Sequence, residues 1–197
     1  LRNSMTDSLF AANYELKHIA DSDTMFKHPQ FVSDPTLIYN GVAHIDAAYD
    51  GSDGTAFTIM RMLLDGRIIG FGKRWEKHVD DCLGEIKSLH TLYRAGTIEN
   101  EKNADKGYLL KELGNMGLPK HGYHESMNKY IKISTYLRKW WSRIWWLEDT
   151  DPEYINEILE YSDHAEHDDS PDSAASLIRS MTDRPKLNRN SSLKGGL

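Results

Sequence analysis

The sequence predicts an α/β domain: a mixed central sheet, three antiparallel strands then alternating helix and strand, with helices on both faces. Three observations carry this. Between Leu37 and Trp75, three apolar, β-branched runs are separated by tight-turn residues, the signature of a hairpin meander. From His78 onward the apolar spacing changes to a helical period, interrupted by short strand-like runs. The chain has 197 residues, 39% of them hydrophobic, enough for one sizeable core.

The elements follow in order. Ser4 to Leu16 reads as a capped amphipathic helix, and Asp21 to Pro35 as an irregular linker, so residues 1–30 are expected to be a connecting arm. The first strand is expected from Leu37 to Ala47 and the second from Thr55 to Leu63. A two-residue Asp65-Gly66 hairpin turn then leads into a third strand, Arg67 to Trp75. Val79, Cys82, Leu83, Ile86, Leu89 and Tyr93 share one face of a helix between His78 and Arg94. Gly96 to Asn103 is a fourth strand, and Tyr108 to Leu113 a helix stopped by Gly114 and Gly117-Leu118-Pro119. Lys120 to Glu125 reads as a strand, and Ser126 caps a helix with Met127, Ile131, Leu137 and Trp141 inward. Arg143 to Leu147 is the final strand. Helices from Pro152 to Tyr161 and through Ala174, Leu177 and Ile178 close the domain, which spans 31–181; residues 182–197 lack apolar period and read as a disordered tail. This β-β-β-α-β-α-β-α order is the topology of the ribonuclease H-like fold.

Composition excludes several classes. No apolar run approaches the roughly 20 residues of a membrane span. No secretory leader is visible at the start, and the chain is expected to be soluble, with a mean hydropathy of −0.62. The single cysteine, Cys82, excludes an internal disulfide, suits a reducing cytosol and reads as a buried structural thiol. A net charge of −6 argues against wrapping nucleic acid by charge alone. The charges segregate, however. Between Lys120 and Arg143, Lys129, Lys132, Arg138 and Lys139 add to the flanking bases against Glu125 alone.

The acids gather at three stations. Asp46 ends the first strand, where a lone carboxylate is costly to bury without a cation nearby. Glu99 and Glu101 end the fourth strand on a shared face. Asp168, Asp169 and Asp172 open the last helix. Each has an ordinary reading when taken alone: a solvated turn, solvated strand residues, helix-capping acids. Asp50 and Asp53 are turn residues, since their spacing from Asp46 does not follow a calcium loop and no bidentate Glu closes one. Together, at the carboxyl edge of an open sheet, the stations converge. Carboxylates so clustered repel unless a divalent cation binds between them, and all-oxygen ligands select magnesium or manganese. Two such ions about 3.5–4 Å apart form the clamp of in-line phosphoryl transfer.

These stations resemble the nuclease domain of bacteriophage terminase large subunits, which cut concatemeric viral DNA during packaging. His44-Ile45-Asp46-Ala47-Ala48-Tyr49-Asp50-Gly51-Ser52-Asp53-Gly54-Thr55 is similar to that family's first motif. Glu101-Lys102-Asn103-Ala104-Asp105-Lys106-Gly107 resembles the second, and His167-Asp168-Asp169-Ser170-Pro171-Asp172-Ser173-Ala174 the third. The resemblance covers Asn3 to Met181. It implies Asp46, Glu101 and Asp169 as catalytic metal ligands with Asp168 beside them, Glu99 being the alternative at the second station. It also implies double-stranded DNA as substrate, met by Lys129, Lys132, Arg138 and Lys139 through phosphates rather than bases. A solvated helix face is the alternative for each of these four. Implied partners are an ATPase domain of the same full-length protein, a small terminase subunit and a portal protein. The implied location is the host cytoplasm during phage assembly. The chain opens at Leu1 and has no Gly-x-x-x-x-Gly-Lys-Ser/Thr loop, so it is expected to be a fragment that cuts without translocating.

Rival functions are a resolvase- or integrase-type nuclease of the same fold, and a non-catalytic DNA-docking module. The Trp140-Trp141 and Trp145-Trp146 pairs read as packing, and His44 and His167 as structural histidines.

Overall fold

The computed structural model describes residues 25–49, 54–102, 106–162, 165 and 167–183. The expected N-terminal helix, the Asp50/Asp53 turn, Asn103 to Asp105 and the expected tail from 184 lie outside them.

Seven strands form one sheet: β1 (Gln30–Val32), β2 (Val42–Asp46), β3 (Thr55–Met62), β4 (Ile68–Trp75), β5 (Ile98–Glu101), β6 (Lys120–Tyr123) and β7 (Ile144–Leu147). Their spatial order is β1-β7-β4-β3-β2-β5-β6. The central β2-β3-β4 meander is antiparallel, while β5 and β6 extend it in parallel on one side and β7 and β1 on the other. This is the mixed sheet expected from the order of elements. β3 and β4 are buried on both faces along most of their length, which is why they read as continuous apolar runs.

Helices cover both faces. On one lie α1 (Val79–Leu92) and α2 (Tyr108–Asn115), placing Val79, Cys82, Ile86, Leu109 and Leu113 against Ile45, Phe57, Ile59 and Phe71. Leu83 and Leu89 sit at the margin of this stripe, and burial pushes the Cys82 thiol up to about 11. On the other face lie α3 (residues 129–140), α4 (Pro152–Glu160) and α5 (Asp169–Asp183). Their Leu137, Ile155, Ile158, Leu177 and Ile178 are fully buried over Ala56, Met60 and Trp146. Each such aliphatic side chain contributes about 1.5–3 kcal/mol. Phe26 already belongs to this second core.

Glycines in β4 make room for two large rings. A Cβ at Gly72 would fall 2.3 Å from the Tyr154 ring, and one at Gly70 would fall 2.8 Å from Trp146, its cross-strand partner in β7. Trp146 is fully buried, and Trp141 packs 6.2 Å from it and 5.1 Å from Phe26, so this pair is packing.

Local chemistry overrides the expected boundaries in several places. Leu37-Ile38 is not strand but part of a 3₁₀ turn, Pro35–Ile38, because Asp34 accepts the Thr36 amide at 2.9 Å and Pro35 starts the turn. The β3–β4 loop holds three residues rather than two. Leu63 accepts from Gly66 and donates to Arg67, and Gly66 takes φ 86°, the left-handed residue of a bulged turn. Residues 30–32 add an edge strand where a linker was expected.

The helix expected from Ser126 begins later and in a different phase. Glu125 takes the amides of Ser126 and Met127 at 2.8 and 2.7 Å, so Asn128 becomes the cap, accepting from Ile131 at 3.2 Å. α3 is one irregular helix: an α turn Lys129–Lys132, a π segment Ile133–Leu137 and a last α turn Arg138–Trp140. Leu137 is buried as expected, but Ile131, expected inward, is 53% exposed, and Lys132 and Ile133 are buried instead.

Candidate active site

The site forms where the parallel strands β2, β5 and β6 end under the first turns of α5. β2 and β5 pair His44 with Glu99 and Ile45 with Asn100, so the next step along that register brings Asp46 beside Glu101. Side chains alternate, and His44, Asp46, Glu99 and Glu101 therefore project toward the face that α5 covers. Glu99 lies a step behind Asp46: it is buried and accepts from Ser180 Oγ at 2.8 Å, near the far end of α5.

A buried polar chain pins the start of α5 to the sheet. His44 shares hydrogen bonds through Nδ1 with Ser173 Oγ (2.9 Å) and through Nε2 with the Tyr123 hydroxyl (2.9 Å). Thr58 Oγ1 lies 2.8 Å from the same Ser173 and 2.6 Å from the Tyr154 hydroxyl, which donates to the Ser170 carbonyl at 3.1 Å. Burial, reinforced by the Lys132 charge, drops His44 to about 3. His44 is thus a neutral structural residue. His167 is exposed and lines a small pocket of about 360 Å³ with Arg74 and Glu157, behind Asp169.

Around that anchor the acids come into one another's fields. Asp46 is held well above the usual carboxylate range by burial first, then by the charges of Asp172 and Asp169. Its Oδ2 is buried with no hydrogen-bond partner. Glu101 is raised by burial, with Asp172 and Glu125 adding to the effect. Asp169 sits in a frame of its own. Its amide donates to Glu157 Oε1 at 3.0 Å, its Oδ2 accepts from the Gly54 amide at 3.1 Å, and Arg74 Nε pairs with Glu157 at 3.0 Å. A side chain at position 54 would strike that carboxylate, with a Cβ 2.9 Å from Oδ2, which explains the glycine. Asp168 stands at the rim, bonded to Lys129 Nζ at 2.8 Å.

Burial, followed by the Glu157 carboxylate, pushes Asp169 up to about 7. A group raised on folding stabilises the fold while protonated and loses that contribution as pH climbs from its ordinary 3.8 through about 7. Asp169→Asn, neutral throughout, is expected to gain on the wild type over that window in metal-free buffer. Urea-unfolding midpoints measured at several pH values test this; parallel curves for the two proteins would contradict it.

Two members of the site were outside the sequence-based ligand set. Asp172, counted there only among the acids opening the helix, is buried and faces Asp46. Lys132, expected on a DNA-binding face, is corrected: it is 1% exposed and ion-paired with Asp172 Oδ1 at 2.8 Å and Glu125 Oε2 at 3.5 Å, so it has no access to DNA. Lys129 is half-exposed between Asp168 and Asp172. Arg138 and Lys139 are exposed.

The donor set suits a hard divalent ion: it is all oxygen, and it includes a buried carboxylate oxygen without a partner. Among the described residues no three of these acids yet close on a single point; lysine ammoniums bridge them in pairs.

No protein-family model and no curated protein sequence matches this chain. Solved structures do. The large terminase nuclease of thermophilic phage G20c, with bound zinc, is 17% identical with a TM-score of 0.56, over 79% of this chain and 94% of that one. Its magnesium-bound form gives 16% and 0.53 over 79% and 93%. The chain shares the fold of this terminase nuclease. The large terminase of a second thermophilic bacteriophage is 11% identical with a TM-score of 0.58, over 80% of this chain but 43% of that longer one. The terminase-nuclease architecture is ribonuclease H-like, as the order of elements predicts.

Proposed function

We propose that this chain is a divalent-metal-dependent DNA endonuclease of the terminase type, which cuts viral DNA during packaging with little sequence preference. One observation carries the reading. The buried, unpartnered Asp46 Oδ2 stands at the end of β2, level with Glu101 and facing the Asp169 and Asp172 end of α5. A buried carboxylate oxygen without a hydrogen bond calls for an explanation, and service to a cation or a reaction supplies one. The likeness to a nuclease solved with zinc, cobalt and magnesium points the same way.

Asp46, Glu101 and Asp169 would hold the metal, with Asp172 adjoining and Asp168 at the rim. Bound there, magnesium or manganese lowers the pKa of a water and stabilises charge on the leaving oxygen. The protein's own part is to keep the carboxylates fixed. Gly54 and Glu157 hold Asp169, and the His44–Ser173–Thr58 chain holds α5 against β2. Lys129, half-exposed at the rim, would meet a phosphate in this reading, together with the exposed Arg138 and Lys139 of α3. In this reading an ATPase domain of a longer protein, a small terminase subunit and a portal protein are the partners, and the host cytoplasm is the site of action. No helix among the described residues is long and apolar enough to cross a membrane.

Supercoiled plasmid incubated with the protein and magnesium or manganese tests the reading. Random nicking followed by linearisation is the expected result. Cutting confined to branched junctions would indicate a resolvase, and no cleavage of either substrate a docking module.

A further inference from the structure

The first turn of α3 is turned inside out. Lys132 is 1% exposed, while its neighbours Ile131 and Tyr130 stand 53% and 40% exposed. The ordinary arrangement is the reverse, an isoleucine leaving water and a lysine ammonium keeping it. Local chemistry imposes the inversion. Asn128 caps the turn through the Ile131 amide, Lys132 pairs inward with Asp172 and Glu125, and the π segment Ile133–Leu137 follows directly. Such π turns inside α-helices are frequent at functional sites. The result is an apolar pair set on the surface, one residue from Lys129, whose Nζ meets Asp168 at the rim of the acidic centre at 2.8 Å.

The surroundings of the pair name its occupant. Thr135, Arg138 and Lys139 continue the exposed face of α3. Residues 126–147 contain no acid, in a chain that carries 30 acids and a net charge of −6. An apolar tip among cations and hydroxyls, with no carboxylate on its own helix, is complementary to a polyanion. DNA offers such a surface both of its chemistries: phosphates for the cations, and base steps between which apolar side chains insert from the minor groove. On the reading that this chain cuts duplex DNA, we propose that Tyr130 and Ile131 form an apolar wedge that enters the minor groove beside the bond to be cut. Lys129, Arg138 and Lys139 hold neighbouring phosphates. The wedge partly unstacks one base step and bends the duplex. It reads no base-edge hydrogen bonds, so the only preference it confers is for steps that deform easily, pyrimidine–purine steps above all.

Short duplexes carrying 2-aminopurine at successive TA steps test this, with and without calcium, by anisotropy across a salt series and by the emission that rises on unstacking. The wild type is expected to raise the emission at one of the steps. The Tyr130→Ala/Ile131→Ala double variant is expected to lose that rise and to bind roughly tenfold more weakly at every salt concentration, its salt slope unchanged because no phosphate contact is lost. Arg138→Ala should do the opposite, lowering the slope by about one while keeping the emission. Tyr130→Phe/Ile131→Leu, which keeps the apolar bulk, should bind as the wild type does. All three positions are exposed, so these variants are expected to fold. A double variant with wild-type affinity, or a wild type that raises the emission at none of the steps, overturns the proposal and leaves the nuclease reading standing. Self-association of the wild type that the double variant loses, with DNA binding unchanged, would assign the pair to contact between copies of the chain instead. A wild type that binds no duplex in either buffer fails the nuclease reading, and this inference with it.

Discussion

Asp46→Asn is expected to abolish metal-dependent plasmid cleavage and, in metal-free buffer, to raise the melting temperature. The two effects have one cause. The Asp46 carboxyl is held above its ordinary range by burial and by Asp172, so as an anion it opposes folding at neutral pH. Asparagine keeps the shape and removes the charge. For each kcal/mol relieved, a chain of this size gains about 2–4 °C. Loss of groups that merely orient metal ligands costs about 10–100-fold, so loss of a ligand should cost at least about a hundredfold in cleavage. Plasmid nicking with manganese and a calorimetric melt measure both. Unchanged nicking would mean that Asp46 is not a ligand of the cleaving metal. A lowered melting temperature would mean that the Asp46 anion is a structural partner rather than a held-open ligand.

What the sequence made legible follows from how local each signal is. The β2-β3-β4 meander is written in alternating and continuous apolar runs, and Asp46 stands out because a charge closes such a run. α1 and α5 have apolar stripes long enough for the helical period to dominate. Where a single side chain decides, the period misleads. Asp34 and Pro35 turn Leu37-Ile38 into a 3₁₀ turn, and Glu125 captures two amides and delays α3 to Asn128. The π segment then shifts the phase, exposing Ile131 and burying Lys132. A lysine within a basic run reads as solvated because its partner, Asp172, is remote in sequence. The available hint was Lys132 directly preceding Ile133 and Leu137, a buried i, i+4 pair. Asp172 was visible as an acid but looked like a helix cap; only the approach of α5 to β2 separates it from Asp168, which stays at the rim.

The largest stability effect is expected at Glu125, a residue with no assigned part in the chemistry. Its carboxylate accepts the amides of Ser126 and Met127 and both short bonds from Arg179 Nη1, at 2.6 and 2.7 Å, and it also faces Lys132. Burial pushes its pKa up, but the Met127 amide, Arg179, Lys132 and the Ser126 amide outweigh that and hold it at about 2. Glu125→Ala strips all of these at once, leaving Lys132 with Asp172 alone in a dry interior and Arg179 without its forked partner. Breaking a buried ion pair by removing one member typically costs about 3–5 kcal/mol. A fall of roughly 6–20 °C in melting temperature follows for a chain of this size. The pH dependence supplies a signature that simple loss of packing lacks. A carboxylate depressed on folding stabilises above its ordinary 4.5, and that contribution disappears as pH falls toward about 2. The gap between wild type and Glu125→Ala should therefore be widest near neutrality and narrow steadily below pH 4.5. Unfolding free energies from pH 7 to 3 measure it, and a gap that does not close in acid would assign the loss to packing instead of charge. Because Glu125 steadies Lys132, and Lys132 steadies Asp172, the same variant should also weaken manganese binding at the centre, which links the fold of α3 to the site that α5 completes.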